Sequence, residues 1–250
     1  MAHASFHFHG EVNDFLPKQR RDRSFTYTFN WKASIKDMVE SLGPPHPEIE
    51  ALTIDGAAVG FEAIVEPGTK IDVYARASTA NVPLSARTTP PPPLPPRFVL
   101  DTHLGRLANY LRMSGFDTLY RNDYPDDELA AISAEEDRIL LTRDIGLLKR
   151  GIVTYGRFIR QTNPRRQIIE VLRRWNLEQH VTPFRRCLRC NGPLHAVPKS
   201  EVRSRVPESS LRHYDEFHEC SVCGQVYWKG SHFDKMRAFM AEVVEEQPGL

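Results

Sequence analysis

The chain has 250 residues, with 33 lysines and arginines against 32 aspartates and glutamates, so its net charge of +1 indicates neither an acidic nor a basic protein. Hydrophobic residues make up 40% of the sequence, enough to form packed cores, which argues against a wholly disordered chain. No apolar run approaches the roughly 18 residues that span a bilayer, and the N-terminal segment lacks the basic and apolar regions of a signal peptide. We therefore expect a cytoplasmic globular protein with no membrane partner.

The first 80 residues predict a small domain of strands around one helix. Period-two alternation in FHFHG and FTYTFN predicts two half-buried strands, with Phe25, Tyr27 and Phe29 on one face. A helix is predicted from its cap Ser34 to Gly43. Two further strands, ALTID and KIDVYA, follow on either side of a Pro-Gly turn.

The order strand, strand, helix, strand, strand resembles a ubiquitin-like β-grasp domain of the sulfur-carrier type, which we assign to residues 1–80. Sulfur carriers act through a free C-terminal Gly-Gly, whereas this segment continues through Arg76 into a linker. We therefore expect an interaction or stabilising module, with a protein partner as one role, rather than a carrier.

Six prolines lie between Pro90 and Pro96. Because proline donates no backbone hydrogen bond and cannot continue a helix, this stretch predicts an extended linker, which we place at residues 81–96. A ligand for a proline-recognition domain is the alternative.

After the linker, strands and helices alternate. RFVL and RILLT predict buried strands. Helical spacing of apolar residues predicts three helices, which follow Asp101, Asp126 and Asn163. Such alternation predicts a parallel sheet with helices on its faces, in a domain spanning residues 97–182.

Acidic residues follow the predicted strands. Asp101 comes directly after RFVL, Asp144 comes one residue after RILLT, and the loop RNDYPDDE between them carries Asp123 and Asp127. Because ligands bind at the carboxyl ends of strands in an open parallel sheet, these side chains can converge. Clustered carboxylates favour Mg²⁺ or Mn²⁺, which can activate water against a phosphodiester.

Helix capping is the competing interpretation of these aspartates. Asp101 and Asp144 each stand just ahead of a helix, where aspartate is a preferred N-cap residue, and Asp126 is predicted to be a cap only. Glu135, Glu136 and Asp137 end a predicted helix and are typical of a solvated charge run.

The segments FVLDTHLGRLANYLRMSGFDT and ILLTRD resemble the PIN-like ribonuclease domain of the Mut-seven C-terminal type, which in prokaryotes occurs with an N-terminal ubiquitin-like domain. The resemblance covers residues 97 to about 245 and implies a three-layer α/β fold, RNA as substrate and a Mg²⁺ or Mn²⁺ site. Carried over by position, it assigns catalytic roles to Asp101 and Asp144, with Asp123 and Asp127 competing for a third.

Two cysteine pairs, CLRC and CSVC, are separated by 29 residues. Cys187, Cys190, Cys220 and Cys223 supply four thiolates, which suit a structural tetrahedral Zn²⁺ and stabilise a module with little core. His195, His213 and His218 are substitute ligands that the simplest set does not need, and a redox role would require only one pair. We assign residues 183–250 to a zinc ribbon, which family members also carry, followed by a helix from Ser231 that packs the ribbon onto the nuclease domain.

Nine arginines lie between Arg157 and Arg189, against two acidic residues. Arginine binds phosphate bidentately, so this stretch predicts an RNA surface. The candidate RNA-binding residues are Arg165, Arg166, Arg173, Arg185 and Arg186. A merely solvated helix face is the alternative.

The sequence thus predicts a metal-dependent ribonuclease that hydrolyses RNA. The rival from another class is a non-catalytic RNA- or ribosome-binding protein, in which the ribbon and arginines make the contacts and the carboxylates serve as caps.

Overall fold

The computed structural model describes residues 1–75, 87–183 and 185–230, together with residues 233, 238 and 239. It divides into two compact units, Met1–Pro93 with Pro125–Phe158, and Leu94–Tyr124 with Ile159–Leu250. In the described part of the chain, every helix is too short or too polar to cross a membrane.

Twelve strands and seven α-helices are assigned among the described residues. In chain order they are β1 (Ala2–His9), β2 (Phe25–Phe29), α1 (Ile35–Leu42), β3 (Ala51–Ile54), β4 (Ala57–Val59), β5 (Lys70–Tyr74), β6 (Phe98–Leu100), α2 (Gly105–Met113), β7 (Thr118–Tyr120), α3 (Asp126–Glu135), β8 (Ile139–Thr142), α4 (Ile145–Leu148), β9 (Gly156–Phe158), α5 (Pro164–Trp175), β10 (Leu194–Val197), α6 (Lys199–Val202), α7 (Glu208–His213), β11 (Phe217–Cys220) and β12 (Val226–Trp228).

The N-terminal part of the first unit is a five-stranded β-grasp sheet with the order β2-β1-β5-β3-β4. Strands β1 and β5 are parallel, and the other neighbours are antiparallel. Helix α1 buries Ile35, Met38 and Val39 against the apolar face of the sheet. The predicted cap is confirmed, because Ser34 accepts a hydrogen bond from the backbone N–H of Asp37, and the chain leaves the helix at Gly43. The predicted ubiquitin-like domain is therefore confirmed, with β4 as an additional strand.

Residues 125–158 form the rest of the first unit. Strands β8 and β9 are parallel, and β8 is fully buried. Helix α3 differs from the prediction at its start: Pro125 occupies the N-cap position and Asp126 is the first helical residue. Asp126 is therefore not a cap, and because proline has no side-chain acceptor the helix has no side-chain cap hydrogen bond. Asp126 lies instead in the acidic first turn, where the helix dipole favours negative charge.

The β-grasp domain and residues 125–158 are joined by polar contacts to buried groups. The Glu48 carboxylate is fully buried and accepts hydrogen bonds from Arg157 Nη1 at 2.9 Å and from the backbone N–H of Phe158 at 2.7 Å. Buried His46 donates through Nε2 to the carbonyl of Val153 at 2.7 Å. The segment that carries Asp144 therefore folds together with the N-terminal domain.

The second unit begins with the parallel pair β6 and β7. Helices α2 and α5 pack together, burying Leu107 and Leu111 on one side and Ile168 and Leu172 on the other. The predicted Asn163 cap and its proline at the first helical position are confirmed. Parallel strands, helices and the ubiquitin-like domain thus agree with the predicted fold class.

The C-terminal part of the second unit is an antiparallel sheet with the order β10-β11-β12. Its own core is small and contains Val202, Val206, Phe217 and Val226. Most of the helix predicted from Ser231, including Ser231 itself, lies outside the described residues. Phe239 is described, and its ring lies 5.2 Å from that of Tyr110.

Candidate functional site

Asp101 stands at the carboxyl end of β6 and is only 9% exposed. Its Oδ1 accepts hydrogen bonds from the backbone N–H of Thr102 at 2.5 Å and from the Thr102 hydroxyl at 3.2 Å. These contacts cap the short 3-10 helix at Thr102–Leu104. The capping interpretation is therefore confirmed for Asp101.

Asp144 follows β8 in the first unit and caps α4. Its Oδ1 accepts from the backbone N–H of Gly146 at 2.6 Å and of Leu147 at 3.3 Å, while its own N–H donates to the Thr142 hydroxyl at 2.9 Å. Both side-chain hydrogen bonds fall on one oxygen. A carboxylate can cap through one oxygen and bind a cation through the other, so capping and metal binding are compatible here.

The two remaining candidate carboxylates are exposed. Asp123 Oδ1 accepts from Arg121 Nε at 3.0 Å, and this hydrogen bond and charge lower the pKa of Asp123. Asp127 lies in the first turn of α3. Asp101 and Asp123 belong to the second unit, and Asp127 and Asp144 belong to the first.

A cleft of about 660 Å³ opens in the second unit and includes Thr102, the residue that follows Asp101. Its described lining includes four arginines and no acidic side chain. The lining residues are Thr102, His103, Gly105, Arg106, Asn109, Arg112, Tyr120, Arg121, Asn122, Thr162, Pro164, Gln167, Leu188 and Arg189. A positively charged cleft next to a carboxylate fits a phosphate-bearing ligand.

Close packing of α2 against Tyr120 shapes this cleft. The Tyr120 hydroxyl donates to the carbonyl of Thr102 at 2.8 Å. A Cβ at Gly105 would lie 2.6 Å from that hydroxyl oxygen, so the ring can take this position only beside a glycine. Gly105, in the segment DTHLGR, is therefore required by packing.

Arg112 lies at the base of the cleft and is almost fully buried. It donates through Nε to the carbonyl of Thr118 and through Nη1 to the carbonyl of Leu188, both at 3.0 Å. Burial lowers the pKa of Arg112. The side chain thus contributes positive charge to the cleft while connecting β7 to the first cysteine pair.

The five arginines predicted to bind RNA do not line this cleft. Arg165, Arg166, Arg173 and Arg185 are exposed, and Arg165 lies 4.7 Å from the centre of the Phe239 ring. Arg186 is half-buried, pairs with Asp117 at 3.3 Å and donates to a backbone carbonyl. Sequence reasoning missed Arg106, Arg121 and Arg189, although the helical spacing of Arg106 and Asn109 places both on one face of α2.

The four cysteines converge at the end of the ribbon sheet, with their sulfur atoms within 4.8 Å of one another. Cys187 Sγ lies 3.6 Å from Cys223 Sγ, and Cys190 Sγ lies 3.4 Å from Cys220 Sγ. Within the described residues this group contains only cysteines, which agrees with the simplest predicted set. Asn191 and Gly224, each directly after the second cysteine of a pair, have φ of 66° and 68°, which makes the two turns equivalent.

Packing four thiols together perturbs their pKa values in opposite directions. Burial opposes ionisation of Cys187, but hydrogen bonds from the Tyr227 hydroxyl and from backbone N–H groups outweigh it and lower the pKa of Cys187 to about 7. Burial and the three neighbouring thiols raise the pKa of Cys190 to about 12. Four thiolates therefore require a cation, and a soft S₄ donor set suits zinc.

Asn191 fastens the cysteine module to β7. Its Oδ1 accepts from the backbone N–H of Thr118 at 2.9 Å, and its Nδ2 donates to Asp117 at 2.8 Å. From the motif CLRCNG one can expect only that asparagine tolerates the positive φ at this position. The motif does not predict the contact with β7.

Together the β-grasp sheet, the parallel strands that end in aspartates and the four-cysteine module define an α/β protein with an N-terminal ubiquitin-like domain. A model of the Mut7-C RNAse domain matches residues 96–240, and a model of the Mut7-C ubiquitin domain matches residues 1–81. The chain belongs to the Mut7-C RNAse domain family. Neither the curated proteins nor the solved structures contain a match to it. Membership supports nuclease activity and agrees with the resemblance drawn from the sequence.

Proposed function

We propose that the protein is a ribonuclease that hydrolyses RNA phosphodiester bonds with Mg²⁺ or Mn²⁺ held by carboxylates. The observation that carries this proposal is the arginine-lined cleft that includes Thr102, the residue after Asp101, in a domain of an RNase family. Single-stranded RNA is the proposed substrate because its backbone supplies phosphates to the arginines and its bases can stack on side chains in a cleft.

The donors fit a hard divalent cation. Asp101 and Asp144 are carboxylates that follow the parallel strands β6 and β8, and both side-chain hydrogen bonds of Asp144 engage Oδ1. In this proposal Asp101 and Asp144 each act as a cation ligand, and Asp123 or Asp127 is a further candidate. Such a cation stabilises charge on phosphate oxygens and assists ionisation of the attacking water.

The chain's own cationic groups position the substrate. Arg106 and Arg189 bind backbone phosphates in the cleft, and bidentate pairing orients them. The exposed arginines of α5 and of the segment before the ribbon extend this surface along the strand. Here Arg165, Arg166, Arg173 and Arg185 contribute counterion release, while Arg186 mainly supports the ribbon through Asp117.

We also propose that the cysteine cluster binds one structural Zn²⁺. The module has only a small apolar core, so metal binding supplies much of its folding free energy. Metal analysis of the purified protein is expected to give one zinc per chain, lost together with the fold of the module in Cys187→Ser or Cys220→Ser. Four reduced thiols also favour a cytoplasmic location.

Asparagine substitution separates catalysis from capping. Asparagine caps helices about as well as aspartate, so Asp101→Asn and Asp144→Asn should keep both caps and lose a ligand charge. With a labelled single-stranded RNA and Mn²⁺, we expect each variant to cleave at least about 100-fold more slowly than the wild type, equivalent to several kcal/mol of transition-state stabilisation.

Asp137→Asn is the matched control, because Asp137 is exposed and its φ of 50° suits asparagine. It removes one carboxylate from the first unit and should leave the rate unchanged. Undiminished cleavage by both Asp101→Asn and Asp144→Asn, with the wild-type thermal midpoint, would refute the metal assignment.

The capping hydrogen bonds favour one second candidate, a non-catalytic RNA- or ribosome-binding protein. In that case Asp101 and Asp144 act as caps alone, and the arginines carry the function. Tight RNA binding without product in Mn²⁺, weakened by Arg106→Ala or by Arg165→Ala with Arg166→Ala, would support it. A protein partner for the β-grasp domain is compatible with either function.

A further inference from the structure

A second group of metal-binding side chains lies on the outer face of the β-grasp sheet, away from the residues used above. His7 and His9 point to the same face of β1 because they are two residues apart. Asp72 of β5 pairs in register with His7. One ligand atom from each of the three lies within 4.8 Å of the others.

The three side chains are held closely. His9 Nε2 lies 2.9 Å from Asp72 Oδ1, and the rings of His7 and His9 stack with their centres 4.2 Å apart. The other side of the His9 ring stacks on Tyr74 at 4.4 Å. The imidazoles therefore have little freedom to lose when they bind a ligand.

Two neighbouring side chains, Ser24 and Lys70, contact members of the cluster. Ser24 Oγ lies 3.2 Å from Nδ1 of His7 and helps to fix the position of the ring. Lys70 Nζ pairs with Oδ2 of Asp72 at 3.3 Å, on the oxygen that does not face His9. In metal sites, contacts of this kind orient the side chains that bind the ion.

Asp72 is the buried member of the cluster, whereas both histidines are half-buried. The Asp72 side chain is 9% exposed. Directly opposite on β3, the buried Thr53 hydroxyl oxygen has no hydrogen-bond partner among the described residues.

We propose that His7, His9 and Asp72 form a second Zn²⁺ site, distinct from the cysteine cluster. Two imidazoles and one carboxylate are a common protein donor set for zinc that leaves one coordination position for solvent. The lysine at Asp72 opposes the cation, so the site is weaker than the cysteine cluster. The proposal does not depend on ribonuclease activity.

Calorimetric titration of the full-length protein tests it. Protein carrying one zinc in the cysteine cluster is titrated with Zn²⁺, and one further equivalent is expected to bind. His7→Gln and His9→Gln should each weaken that equivalent by at least about 100-fold, since even outer-shell changes cost about 10- to 100-fold. His3→Gln is the control, because His3 is exposed on the same face of β1 but outside the cluster.

Lys70→Met tests the same site by a change that is expected to strengthen zinc binding rather than weaken it. Lys70 is 60% exposed, so the variant should fold, and removal of its charge is expected to tighten the second zinc about fivefold. Absence of a second equivalent, or one that His7→Gln and His9→Gln leave unchanged, would overturn the proposal. Tightening by Lys70→Met with loss in both histidine variants would establish the site.

Discussion

Glu48→Ala is expected to destabilise the first unit by about 3–5 kcal/mol, the cost of removing one partner of a buried ion pair. Glu48 is fully buried and Arg157 is 3% exposed, so water cannot replace the lost carboxylate easily. The backbone N–H of Phe158 also loses its acceptor, which by itself costs about 1–3 kcal/mol. Glu11, which pairs with Arg157 at 2.8 Å from a half-exposed position, keeps the loss within this range.

Urea unfolding followed by circular dichroism measures this loss. With an m value of about 2–3 kcal/mol/M, the midpoint of the transition should fall by about 1–2 M. Glu66→Ala, at an exposed position, should change the free energy of unfolding by less than about 0.5 kcal/mol. Glu11→Ala should change this free energy by at most about 1 kcal/mol. A Glu48→Ala midpoint equal to that of Glu66→Ala would refute the argument that the buried pair joins the two segments.

Two further substitutions test the second unit. Gly105→Ala places a Cβ 2.6 Å from the Tyr120 hydroxyl, so we expect a loss of about 1–3 kcal/mol in thermal unfolding and weaker RNA binding by fluorescence anisotropy; an unchanged midpoint would contradict the packing. Asn191→Ala removes two hydrogen bonds at a φ of 66° and should cost about 2–4 kcal/mol. Limited proteolysis should then release the cysteine module, and resistance equal to that of the wild type would contradict the anchor.

Local signals predicted most of the fold. The Ser34 and Asn163 caps, the buried stripe of α5 and the alternation in β1 and β2 all follow from side chains within a few residues of one another. Strand β4 was missed because its three residues are mostly exposed and show no alternation. Asp126 was predicted as a cap because aspartate is a preferred N-cap residue, but the extended Pro125 before it occupies the N-cap position.

The functional residues were harder to predict where they depend on distant partners. Cys187 and its three partners were found because thiols at CxxC spacing point to a metal whatever surrounds them. The cleft was missed because Arg106 and Arg189 are 83 positions apart and carry no shared motif. Arg157 was counted with the basic surface, but Glu48 buries it, and that pairing spans 109 positions.

The buried pair of Glu48 and Arg157 joins the N-terminal domain to a segment that follows the proline-rich linker. A proline-rich linker after residue 80 predicts domains that fold independently, yet Arg157 and Phe158 rely on Glu48 for their hydrogen bonds, and His46 bonds to Val153. A chain that began at residue 97 would leave Arg157 without its buried counter-charge. The segment that bears Asp144 is therefore stabilised by the ubiquitin-like domain, which gives this domain a structural role in the protein even where no partner binds it.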